Sequence, residues 1–240
     1  TDASGRPVTR WDGRTMKKSP VTGEDIPDDS ARVPLERYVN PRKAEWPQAD
    51  FIVGNPPFIG NKRMRLALGD GYVEALRSAW QGVPDSADFV MFWWDRAAEL
   101  TRQGKLERFG LITTNSISQT FNRRVLEHHM RDPKDPLSIV FAIPDHPWVD
   151  AADGAAVRIA MTVATDDSTT SRLLGVSEER TNADGEVDCT FFTKDGRIDS
   201  SLSVGIELAL AKSLGAHRGI AFTGMYPLGQ GFVVLPHDKS

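Results

Sequence analysis

Cysteine is almost absent from these 240 residues: Cys189 is the only one, which excludes an internal disulfide and suits a reducing compartment such as the cytoplasm. Long apolar runs are missing too, so no stretch reads as a membrane span, and the first residues carry no secretory signal pattern. Positive charge is not in excess. Lys and Arg number 29 against 33 Asp and Glu, a formal net charge of −4, so any contact with nucleic acid has to use a local patch. Neither G-x-x-x-x-G-K-[ST] nor G-x-G-x-x-G follows a strand-like stretch, which sets aside P-loop and dinucleotide enzymes. No metal site is expected: His128 and His129 are adjacent, so they point to different faces of a helix and form no i,i+4 pair, and both read as surface residues. Internal repeats, low-complexity tracts and heptads are also missing.

What is present is the makeup of a globular chain with a real core, 40% hydrophobic and 26% charged. It is organised around Ala49-Asp50-Phe51-Ile52-Val53-Gly54-Asn55-Pro56-Pro57-Phe58-Ile59-Gly60. Phe51 to Val53 reads as a short buried strand. Gly54 and then two prolines, which fix φ and carry no N–H, end its ladder. The result is a stiff turn just beyond the carboxyl end of a strand, where open α/β sheets bind ligands. Asn55 supplies an amide there, the prolines supply carbonyls, and Phe58 supplies an aromatic face. An amide oxygen beside a backbone carbonyl makes a two-acceptor clamp that suits a planar –NH2 group, and a neighbouring ring suits a planar base.

Asn55-Pro56-Pro57-Phe58 resembles motif IV of the S-adenosylmethionine-dependent DNA amino-methyltransferases, which modify N6 of adenine. The resemblance implies an α/β fold with a partial Rossmann-like class I methyltransferase sheet, mixed parallel with a terminal antiparallel strand, followed by a small α+β annex. It implies that Asn55 Oδ1 and the Pro56 carbonyl accept hydrogen bonds from the target amino group, with Pro57 stiffening the turn and Phe58 stacking on a flipped base. The implied cofactor is S-adenosylmethionine, with Asn55 only at the edge of its site and the main Gly-rich motif expected upstream of Thr1. This chain by itself is therefore expected to bind the cofactor weakly or not at all, and to be inactive. DNA is the implied partner, together with subunits of a bacterial restriction or phage-defence system. Related motifs serve methyltransferases acting on RNA or on protein amide nitrogen, and a non-catalytic DNA-binding scaffold of the same fold is a further alternative.

Around this stretch the chain divides into an irregular insertion or hairpin over residues 1–48, a core over 49–165, and an annex with the start of a target-recognition domain over 166–240. Gly60 to Arg65 reads as a loop whose cations Lys62, Arg63 and Arg65 either hold DNA phosphates or are simply solvated. Tyr72 to Trp80 is a short helix. Ser86 to Gln103 is a longer one, capped by Asp85 or Ser86, with Phe89, Phe92, Trp93, Ala97 and Leu100 as its buried stripe and Trp94 and Asp95 off its centre. Arg108 to Thr114 is a strand that leads into the loop Asn115 to Gln119. By the resemblance that loop borders the substrate cleft, which makes Asn115 and Ser116 second-rank candidates for DNA contact. Phe121 to Met130 is a helix, and Leu137 to Ile143 a strand ended by Pro144. Val157 to Ala164 returns antiparallel to it. Trp148, between them, resembles the family's motif VIII aromatic, although packing at a strand end is the preferred reading. Two further strands flank Asn182 to Gly185, and Ser203 to Leu214 has helical spacing. The start on Thr1 and the abrupt end suggest a piece of a longer polypeptide.

Overall fold

The computed structural model describes residues 5–149, 156–167, 170–181 and 187–205, all within one compact unit, Thr1–Gly205. The helix expected over Ser203 to Leu214 does not begin at Ser203, since Val204 instead bridges Ile198; the rest of it and the stretch that follows lie outside the described residues, as does the turn Asn182 to Gly185.

Residues 9–34 form two nested antiparallel ribbons. The outer one pairs β1 (Thr9–Trp11) with β4 (Arg32–Pro34), and the inner one pairs β2 (Met16–Lys18) with β3 (Asp25–Pro27). Asp12 closes the turn after β1, accepting the backbone N–H groups of Arg14 at 3.0 Å and Thr15 at 2.9 Å.

The core is a six-stranded mixed sheet. Its strands are β5 (Phe51–Gly54), β6 (Arg108–Thr114), β7 (Ser138–Val149), β8 (Ala156–Thr165), β9 (Arg172–Thr181) and β10 (Val187–Asp195), in the spatial order β10-β9-β7-β8-β6-β5. β5 and β6 are parallel, as are β7 and β9, and every other pairing is antiparallel. The helices are α1 (Asn61–Leu68), α2 (Asp70–Ala79), α3 (Val90–Arg102) and α4 (Thr120–Met130).

Register separates the two faces of the sheet. Phe109, Leu111 and Thr113 stand opposite Ala164, Thr162 and Ala160, and all six are buried. Trp94 of α3 packs edge-on against Phe109, with ring centroids 5.2 Å apart, and its indole N–H reaches Thr162 Oγ1 at 3.3 Å. The other face carries Phe51, Val53, Gly110, Ile112, Met161 and Val163, none of them fully buried. Phe51 is 61% exposed and Val53 88%. The strand expected over Phe51 to Val53 is therefore present, but as a free edge rather than a buried strand. An apolar run of this length reads alike in both settings, because the pairing that decides between them lies far away in sequence.

Other expectations are corrected by tertiary packing. Gly60 to Arg65 is not a loop, since α1 begins at Asn61. Helix α3 starts at Val90, without a side-chain cap from Asp85 or Ser86, because the preceding turns are held by Ala87 N–H to Pro84 and Met91 N–H to Asp88. Its most buried members include Trp94 and Asp95, the two residues expected off centre, while Trp93 and Leu100 lie at the margin. β7 runs through Pro144 to Val149. Its register against β8 slips between Ile143 and His146, where the missing proline N–H is not needed by the ladder. His129 is buried, although His128 is exposed as expected.

Candidate functional site

β5, β6 and β7 run in one direction and β8 in the other, so Asn55, Asn115 and Asp145 to Trp148 all emerge at one end of the sheet. The turn after β5 is anchored by its second proline and its apolar tail. Pro56 is buried, the Pro57 carbonyl accepts the Ile59 N–H at 3.1 Å, and the Ile59 carbonyl accepts the Phe89 N–H at 2.9 Å. What stays unused is informative. Among the described residues the Asn55 side chain is exposed and makes no hydrogen bond, and no N–H donates to the Pro56 carbonyl. The two acceptors named from sequence are free, while the neighbouring Pro57 carbonyl is occupied. Phe58 is half-buried beside them.

Of this pair, Asn55 is exposed and Pro56 is buried. Two hollows lie elsewhere: one of about 530 Å³ is lined by Trp46, Asp50, Ile52 and Leu106 near the amino end of β5, and one of about 690 Å³ by the stretch Leu35 to Pro41. Neither is lined by Asn55, Pro56 or Phe58.

The turn continues directly into α1. Lys62 and Arg63 occupy the first turn of that helix, are exposed, and form no ion pair among the described residues. Cations at a helix amino terminus oppose its dipole, so their placement there has no local stabilising reason. Arg65 differs. It bridges Asp70 at 3.3 Å and also pairs with Glu74, so its charge is spent within the protein.

Asn115 and Ser116 lie in a single turn of 3-10 helix, Asn115–Ser118, just after β6. The Asn115 amide donates to Asp145 Oδ1 at 3.1 Å, and that carboxylate also accepts Arg158 Nε at 2.6 Å. Hydrogen bonds to Glu179 and then Asp145 raise the Arg158 pKa further above its ordinary value, and the same contact holds Glu179 below its own. The Ser116 hydroxyl donates to Asp88 Oδ2 at 2.7 Å. Both second-rank candidates are thus engaged inside the protein. Trp148 pairs with Val157 in the β7–β8 ladder and is 37% exposed.

Two residues of this region were passed over in the sequence. Asn122 is buried on the same face of α4 as Val125, Leu126 and His129, at three- and four-residue spacing, and a polar residue at a core position is a legible signal. Asp88 gives no such signal, because its partners lie 27 to 34 residues away.

Ahead of β5 come only the two ribbons and an extended segment, and among the described residues no strand there enters a Gly-rich turn.

A family model described as MmeI, DNA-methyltransferase domain, matches residues 20–175. Among solved structures, the type IIL restriction-modification enzyme MmeI, in complex with DNA, aligns with a TM-score of 0.50 and 23% identity over 65% of this chain. A modification subunit assigned to a type I restriction enzyme from Vibrio vulnificus YJ016 aligns at a TM-score of 0.38 and 14% identity, over 55% of this chain and 26% of that one. No curated protein matches. The MmeI likeness establishes a methyltransferase-like α/β fold, and the chain spans 20% of the MmeI chain.

Proposed function

From the premise that this chain belongs to the MmeI DNA-methyltransferase domain family, we propose that it forms the target-base side of an enzyme that methylates N6 of adenine in DNA within a restriction-modification system. The observation that carries the reading is the pair of unused acceptors, Asn55 Oδ1 and the Pro56 carbonyl, at the carboxyl end of β5. An exocyclic amino group has two N–H donors, and a paired acceptor satisfies both. Hydrogen bonding to both hydrogens disfavours conjugation of the nitrogen lone pair with the ring and leaves it directed at an incoming methyl group. Held in this way, the amine needs no Ser/His/Asp relay. Alignment and the local field contribute most of what the protein supplies.

A base inside a duplex has to leave the stack to reach such a clamp, which costs a few kcal/mol. Phe58 is the ring placed to offset part of that cost by stacking. Lys62 and Arg63, free at the start of α1, are the cations placed to meet the displaced backbone.

The methyl donor we assign is S-adenosylmethionine. Asn55 would stand at the edge of its site, beside the target amine.

The test uses the intact enzyme, duplex DNA and labelled S-adenosylmethionine, with the modified nucleoside identified by mass spectrometry. The expected product is N6-methyladenine, and Asn55→Ala should lower its rate by about a hundredfold or more. An unchanged rate in that variant, or methyl label appearing only on cytosine or protein, would overturn the reading.

A further inference from the structure

The turn that carries Asn55 to Phe58 has few attachments, and they converge on one dipeptide. The Phe89 N–H donates to the Ile59 carbonyl at 2.9 Å. Asp88 Oδ1 accepts the Asn61 N–H at 3.0 Å, which caps α1 from a residue 27 positions further on. Helix α1 has no side-chain cap of its own and no acid in its first turn, so Asp88 supplies the negative charge that its amino terminus otherwise lacks.

The second carboxylate oxygen of Asp88 faces the other way. It accepts Ser116 Oγ at 2.7 Å and Asn122 Nδ2 at 2.8 Å. Asn122 returns the contact, its Oδ1 accepting the Asp88 N–H at 2.8 Å, and its Nδ2 also reaches the Ser116 carbonyl at 3.0 Å. Arg77 adds a brace at the far side of α1, donating to Asn61 Oδ1 at 3.1 Å and to the Asp85 carbonyl at 2.7 Å. One carboxylate therefore joins the turn after β5 to the turn after β6. These are two of the loops at the end of the sheet where the amino clamp lies.

Resting on the function proposed above, we infer that Asp88 is the positioning residue of the clamp, with Asn122 and Ser116 as its fixed counterparts. It touches neither base nor donor. Its two oxygens set the height of Asn55 and Pro56 relative to the loop that follows β6, and so the distance at which the target amine is presented. Asn122 is buried, so its orientation is set by packing, and it holds Asp88 in a single rotamer.

A misplaced clamp slows the chemical step more than it weakens substrate binding, because a small displacement of aligned groups costs rate steeply. Asp88→Asn keeps an acceptor for the Asn61 N–H but turns an NH2 toward Asn122 Nδ2, donor against donor, and forces the Ser116 hydroxyl to reverse its hydrogen bond. In the intact enzyme this variant should lose about tenfold to a hundredfold in kcat, with KM for DNA and for S-adenosylmethionine within about twofold of the parent. Ser116→Ala removes a single hydroxyl and should lose a few-fold in kcat in the same pattern. It carries the test if Asp88→Asn does not fold. The double variant D88N/N122D restores a donor–acceptor pair between the two side chains and should recover part of the lost kcat. A folded Asp88→Asn or Ser116→Ala enzyme with parental kcat, or a loss confined to KM, would overturn the inference. Asn55→Ala run alongside separates the two claims. If it leaves methylation intact, the clamp itself fails, whereas if it abolishes transfer while Asp88→Asn is unaffected, only the positioning role fails.

Discussion

His129 Nε2 lies 2.9 Å from Asp95 Oδ1, and both side chains are buried between α3 and α4. Arg102 Nη1 approaches the other ring nitrogen at 3.4 Å, and a guanidinium can only donate. Nδ1 is therefore the acceptor toward Arg102, and Nε2 donates to Asp95. The second carboxylate oxygen of Asp95 meets Lys43, whose Nζ is 3.1 Å from Oδ2 and also contacts Glu99. This cluster fastens the segment leading into β5 to the helix beneath the sheet. Asp95→Asn keeps the shape but presents an amide to Lys43 or to His129 with one contact mismatched. Breaking a buried pair costs about 3–5 kcal/mol, and the partial exposure of Lys43 lowers the expected loss to about 2–3 kcal/mol. Urea unfolding of the purified chain measures it, and an unchanged midpoint would show that the cluster contributes nothing net.

The same residue makes stability depend on acidity. Burial pushes the Asp95 carboxyl up, but the contacts from His129 and Lys43 outweigh it and hold the pKa below the usual 3.8. A carboxylate with a depressed native pKa contributes stability that is complete above its unfolded value and is lost as pH falls through the native one. The difference in unfolding free energy between the parent and Asp95→Asn should therefore be constant near neutrality. It should begin to shrink below about pH 4 and continue to shrink through the lower native value. Urea melts of both proteins along that range give the curve. A difference that grows on acidification would reverse the assignment.

How far these features were legible depended on how local their causes are. Strand β6 was readable from its alternation, and the turn at Asn55 from two prolines whose effect on the backbone is intrinsic. The free edge at β5 was not, since an apolar tetrapeptide carries no mark of which neighbours it will have. Helix α3 misled for a different reason. Met91, Phe92, Trp94, Ala97 and Ala98 bury more than half of its circumference, so apolar spacing alone does not single out the stripe centred on Trp94. The site shows the same contrast. Asn55 and Phe58 could be named because their chemistry lies in one tetrapeptide. Asp88 could not, because its partners Asn61, Ser116 and Asn122 come from separate elements brought together only by the fold.

The cations beyond the clamp separate into two kinds, and salt dependence distinguishes them. Each phosphate contact removed should lower the slope of log K against log salt by about one. Lys62→Gln and Arg63→Gln, with unpaired parents, should each weaken DNA binding by the intact enzyme and flatten that slope. Arg65→Gln should leave the slope unchanged, because its guanidinium already serves Asp70 and Glu74. Exposed pairs of that kind contribute about 0–1 kcal/mol, so its effect on stability should also be small. Binding titrations across a salt series decide this, and a flattened slope for Arg65→Gln alone would invert the assignment.

Phe58 is half-buried and pairs with no other aromatic ring among the described residues, so part of it remains accessible to a partner. If that partner is a flipped base, stacking contributes about 1–3 kcal/mol to the extruded state. In a matched duplex the extruded state is scarce, and losing the ring should lower the transfer rate by about fivefold to a hundredfold. With the target adenine in a mismatch the stack is already weakened and extrusion costs less. The extruded state is then well populated without help, and the same substitution should cost little. Phe58→Ala should accordingly show a duplex-specific loss in single-turnover assays on matched and mismatched substrates. Equal losses on both would mean that the ring acts by holding the turn rather than by receiving the base.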